Sequence, residues 1–158
     1  MASQRTQHRT FDALLELHDG ASAVTATGLG QVDAAAQIVD LKQGASSGTA
    51  GDGMETHGEF VVDVSAIDQT TGDELYTMIL EGSNASDFAS GIVQLAVLQL
   101  GDEDTMLGNC DIDMETGRYV VPFTNEKNDV FYRYVRVAFV IGGTSPSITC
   151  HARMQQMA

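Results

Sequence analysis

The chain contains no tryptophan, two prolines and two cysteines in 158 residues, and its eight lysines and arginines face 22 acids. Each scarcity removes a class of function. With aromatics at 6%, there is little to stack against bases or sugars. A formal charge of −14 repels phosphate backbones and anionic lipid, so neither nucleic acid nor a membrane is an expected partner. No apolar run approaches the roughly 20 residues that span a bilayer. The opening MASQRTQHRTFDALLELHDG also lacks an apolar stretch of signal-peptide length, so folding in a cytoplasm is expected. Cys110 and Cys150 stand far apart in no metal-like spacing and read as reduced thiols, with Cys150 on the apolar side of its strand.

The length suits one domain, residues 1–158, able to bury a core without staples. Phe11, Leu14 and Leu15 have the spacing of one short helical face, at most two turns. Beyond them come short apolar runs punctuated by Gly, Asp, Asn and Ser, the habit of an all-β antiparallel sandwich. The expected strands are Ala23–Thr27, Ala36–Lys42, Glu59–Ile67, Leu75–Glu81, Ile92–Leu100, Tyr119–Thr124, Phe131–Ile141 and Ser147–Met154. Two long loops interrupt them: 44–58, with five glycines in fifteen residues, and the acidic 101–117.

A search for chemistry returns little. Asp102, Glu103, Asp104, Asp111, Asp113 and Glu115 offer hard oxygen ligands, but counted from Asp111 the turn glycine falls one place late, at Gly117, and Pro122 stands where an EF-hand needs its closing Glu. A solvated acidic loop is the expectation, and no metal or other cofactor is assigned. His8, His18, His57 and His151 show no i,i+2 or i,i+4 pair that would aim two imidazoles at one ion. Ser83 and Ser90 lie beside glycines outside any G-x-S-x-G elbow, and Gly28-Leu-Gly30-Gln-Val-Asp33 lacks the third glycine of a dinucleotide loop. No nucleophile, base and oxyanion donor come together, so the reading is a binding or structural protein rather than an enzyme.

One strand raises a question. In Phe131–Ile141, alternation puts Arg133, Val135, Val137, Phe139 and Ile141 on one face and Tyr132, Tyr134, Arg136, Ala138 and Val140 on the other, and both are mostly apolar. Either this is a central strand whose second face lies under a loop or the N-terminal segment, or Tyr132, Tyr134, Arg136 and Val140 meet another subunit, Arg136 pairing with an acidic partner surface.

Two segments carry a likeness. FDALLELHDGASAVTATGLGQVDAAAQIVDL, with its VTAT run leading into IVDL, and YRYVRVAFVIGGTSPSITCHARM resemble the two ends of tailed-bacteriophage capsid cement, or decoration, proteins of the jelly-roll type. The resemblance implies an eight-stranded antiparallel sandwich that binds the outer surface of the head as a homo-oligomer, a dimer or trimer, bridging major capsid protein subunits. The segment 1–10 carries Arg5 and Arg9 and no acid on a chain of charge −14, and reads either as an arm on a neighbouring subunit or the shell, with Phe11, Leu14 and Leu15 as the nearest anchors, or as a loose tail. A second reading is a virion-displayed jelly roll that binds carbohydrate or a host receptor through its long loops. A small metal-dependent enzyme is the third.

Overall fold

A computed structural model describes residues 13–41, 56–101 and 115–156. The strands are β1 (Glu16–His18), β2 (Gly28–Leu29), β3 (Gln31–Val32), β4 (Ala35–Ala36), β5 (Val39–Asp40), β6 (His57–Ile67), β7 (Leu75–Ser83), β8 (Val93–Gly101), β9 (Gly117–Thr124), β10 (Glu126–Lys127), β11 (Val130–Phe131), β12 (Tyr134–Gly142) and β13 (Ile148–Gln156). No α-helix occurs among the described residues.

Two antiparallel sheets carry the architecture. One has the order β1-β13-β6-β9; the other runs β2-β12-β7-β8, with β5 pairing farther along the same edge of β12. Counting the broken segment 28–40 as one strand and setting aside the β10–β11 hairpin leaves eight, ordered 1-8-3-6 and 2-7-4-5. That is the strand order of a jelly roll. Strict alternation follows from the packing: Leu17, Phe60, Val62, Val64, Ile148, Cys150, Ala152 and Met154 point inward from one sheet to meet Tyr76, Met78, Leu80, Leu100, Val135, Val137 and Phe139 from the other. Burial pushes the Cys150 thiol up to about 12, so it behaves as a small apolar side chain.

Five of the eight expected strands appear with ends shifted by up to two residues. The other three differ. Ala23–Thr27 is not a strand; Val24 makes one isolated bridge to Ile148. The first strand instead lies at Glu16–His18, after a single 3-10 turn over Ala13–Leu15, because pairing with β13 overrides the helical spacing of so short a segment. Ala36–Lys42 is broken into β4 and β5, and Lys42 lies outside the described residues. Phe131–Ile141 is broken at Tyr132 and Arg133, since Val130 and Phe131 close a hairpin with Glu126 and Lys127.

Both two-residue hairpins turn through positive φ at successive residues, Asp33 with Ala34 and Asn128 with Asp129, matching the twist of the flanking strands. Alanine is poorly suited to φ of 62°. Ala34→Gly is expected to raise stability by about 0.5–1 kcal/mol, relief of strain outweighing the greater chain entropy of glycine; urea melts read this directly.

At one end of the sandwich the 68–74 turn is tied to the 142–147 turn. The Asp73 carboxylate accepts the Thr144 N–H at 2.8 Å and its hydroxyl at 2.9 Å. Glu74 folds back to accept the N–H groups of Thr71, Gly72 and Asp73 and the Thr71 hydroxyl, and these hydrogen bonds, that of the hydroxyl foremost, hold its carboxyl below the ordinary range. Beneath both turns the fully buried Tyr76 donates its hydroxyl proton to the Asp68 carbonyl at 2.6 Å and accepts the Ser147 N–H at 2.9 Å.

Candidate interaction surface

The two outward faces differ in kind. Across the four-stranded sheet runs a ladder of charge. The Glu16 carboxylate takes the His151 Nε2 proton at 2.6 Å, and Arg153 Nη1 lies 3.3 Å from His151 Nδ1 and 2.5 Å from Asp63 Oδ2. Arg118 closes a two-point pair with the same Asp63, at 2.5 and 3.1 Å. An Arg153 N–H donating to Nδ1 places the imidazole proton on Nε2, toward Glu16. Both ring nitrogens are engaged, so His151 is built into the sheet rather than presented as a base.

The outer face of the other sheet is apolar at its centre. Register aligns Leu29 of β2, Ala138 of β12, Ile79 of β7 and Val97 of β8 in one row across four strands. Beside it lies the uncharged row Val140, Thr77 and Gln99. Leu29 is 37% exposed, Val97 44% and Val140 45%. On the other flank Arg136 stands opposite Glu81 and donates to it at 2.8 Å, with both side chains largely buried. Its guanidinium lies 4.2 Å above the Phe88 ring, brought there by the β7–β8 connection. Phe88 is held at a φ of 53°, which a bulky residue rarely adopts, and the connection is braced by Ser83, whose hydroxyl donates to the Ser90 carbonyl and accepts the Ala85 N–H.

The strand's second face is therefore covered in part by the chain itself. Arg136 is satisfied internally by Glu81 and Phe88, which removes the guanidinium expected to meet an acidic partner. Tyr132 is not on this face with Tyr134; the break before β12 turns it toward Gly82 on the core side, where its backbone pairs with the buried Asn125. Tyr134 stays half-buried under the Arg133 guanidinium, 4.9 Å from its ring centre, while Arg133 makes a two-point pair with Asp40 at 2.8 Å. Of the four residues expected at an interface, Val140 alone presents open apolar surface. Leu29, Ile79 and Val97 join it, and they escape sequence reasoning because only the register of four strands aligns them. The acid Glu81 in the otherwise uncharged run LYTMILEGS was the one signal that Arg136 had a partner in the chain.

Elsewhere, Leu15 packs on the core whereas Leu14 is 79% exposed, so the two do not share a buried face. Arg5, Arg9 and Phe11 lie outside the described residues, as do the arm 1–10, most of both long loops and five of the six candidate carboxylate ligands; Glu115 is described and exposed. Among the described residues no group of three His, Cys, Asp or Glu side chains is placed to hold a metal ion. Neither protein-family models nor curated proteins give a match to the chain.

Proposed function

We propose that the chain is a capsid cement, or decoration, protein of a tailed bacteriophage, binding the outer surface of the head as a homo-oligomer and stabilising the shell by bridging major capsid protein subunits. The observation that carries this reading is the neutral apolar row Leu29–Ala138–Ile79–Val97, with Val140 beside it, on a chain of charge −14. A protein this acidic is repelled by its own copies and by other acids wherever charge is displayed. An uncharged strip whose flanking Arg136 and Arg133 are paired internally is where close approach costs least. The jelly-roll fold and the likeness of the two chain ends to cement proteins support the same reading.

Magnitudes favour an array. Completing the burial of Leu29, Val97 and Val140 is worth about 2–4 kcal/mol per face before the costs of association. That is too little for a single tight contact and suits a protein held at several points of a repeating lattice, where avidity multiplies weak sites.

The test is Val97→Asp with Val140→Asp. Both side chains face solvent, so circular dichroism and the melting temperature should change little, whereas co-sedimentation with intact heads should weaken by more than tenfold. Equal attachment of variant and wild type would take this face out of the interface.

A further inference from the structure

At the corner farthest from β8, the edge strand β1 meets the β3–β4 hairpin, and the contact includes two acceptors that acid can remove. His18 is 4% exposed, its ring edge-on to Phe139 at 5.0 Å. Nδ1 accepts the Gln31 N–H at 3.1 Å, which puts the imidazole proton on Nε2, and Nε2 is buried without a hydrogen-bond partner among the described residues. The adjacent Asp19 accepts the Ala21 N–H through Oδ1 and the Asp33 N–H through Oδ2, both at 2.9 Å, and donates its own N–H to the Gln31 carbonyl. Beyond these the hairpin is anchored at its base, where the Gly30 N–H donates to the Val137 carbonyl at 2.9 Å. Its four strand residues are largely exposed, and Asp33 and Ala34 both carry positive φ.

We propose that His18 is an acid-sensitive latch: on gaining a proton it releases Gln31, and the β3–β4 hairpin opens away from β1 while the two sheets remain folded. Protonation turns Nδ1 from acceptor into donor, so two N–H groups face each other, and it puts a cation against Phe139. Glu16 on the same strand, Asp19 just after it and the backbone of Gln31 favour that cation, and His151 on β13 opposes it; Phe139 on β12 carries no charge. Burial outweighs these and holds the ring below the ordinary imidazole value. A group depressed in the closed state stabilises that state fully above its free value, about 6.5, and the stabilisation is lost as the pH falls toward the closed-state value. The latch is thus shut at neutral pH and opens in acid. Leu29 lies two residues before Gln31, so opening would also loosen one end of the apolar row; that consequence, unlike the latch, rests on the docking reading.

Amide hydrogen exchange by NMR on the full chain, corrected for intrinsic rates, tests this between pH 8 and 5. The open fraction at Gln31 and Asp33 should rise about tenfold per pH unit below about 6.5, as expected for uptake of one proton, while Val62 and Met78 keep their protection. In His18→Gln, whose side-chain oxygen accepts without titrating, the rise should vanish. A flat wild-type profile, or loss at Gln31 only together with Val62 and Met78, overturns the latch, as does a His18→Gln profile that still rises. Should that variant not fold, the His18 ring resonances of the wild type decide, since their midpoint must coincide with the midpoint of the rise in open fraction at Gln31. Head attachment followed over the same pH range separates the two claims: unchanged attachment beside an opening hairpin counts against the docking face alone.

Discussion

Tyr76→Phe should destabilise the protein by about 1–3 kcal/mol although it removes a single oxygen. The hydroxyl is buried, and without it the Ser147 N–H loses its acceptor and the Asp68 carbonyl a donor, where water has no access. Tyr76→Ala adds a cavity between the sheets, for a total of about 3–5 kcal/mol. For a chain of this size each kcal/mol lowers the melting temperature by roughly 3 °C, so the two substitutions should separate in a thermal scan. The phenylalanine variant should also speed exchange at the Ser147 amide specifically. A loss below 0.5 kcal/mol would mean that the turns hold one another through Asp73 and Thr144 without the tyrosine.

Asp63→Ala is the second large effect, expected near 2–3 kcal/mol. The carboxylate sits between Arg118 and Arg153, and the latter side chain is almost wholly buried. Removing the anion leaves Arg153, still beside His151 Nδ1, without this carboxylate in the middle of the sheet; breaking such a pair would cost about 3–5 kcal/mol at a fully buried site and costs less here because Asp63 is a third exposed. Adding Arg153→Met to Asp63→Ala should recover much of the loss, since an apolar pair replaces the cation left behind. Acid reads the same interaction. Burial alone would raise the Asp63 carboxyl, but hydrogen bonds and charge from Arg118 and Arg153 outweigh it and hold the group below the ordinary value. Its contribution is complete above about pH 4 and is lost as the pH falls through the folded-state value, so Asp63→Asn should flatten the acid limb of the stability profile.

The long strands were legible because each alternates or runs largely apolar for about six or more residues between turn signals. β1 was not, since three residues carry no period and their partner in β13 lies at the other end of the chain. The hairpin of Glu126–Lys127 with Val130–Phe131 was not legible either, because strands of two residues are too short to announce themselves, and they shift Tyr132 off the expected face. The apolar outer face was half legible. Its existence follows from the composition of β12, whereas its centre at Ile79 and Val97 depends on neighbours fixed by tertiary pairing, and the withdrawal of Arg136 depends on Phe88 from a loop.

The strand order has a consequence for how the molecule is made. β13, the last of the described strands in chain order, lies between β1 and β6, and β12, the one before it, lies between β7 and the pair β2 and β5. Neither sheet can close until these two strands have been made. Until then β6 and β7 expose long unsatisfied edges, and their pairing must wait for contacts spanning most of the sequence, which makes folding slow and crowding during synthesis hazardous. A nascent chain halted before Ile148 has no centre to its first sheet, so completion of this fold is in effect a check that synthesis has passed residue 156.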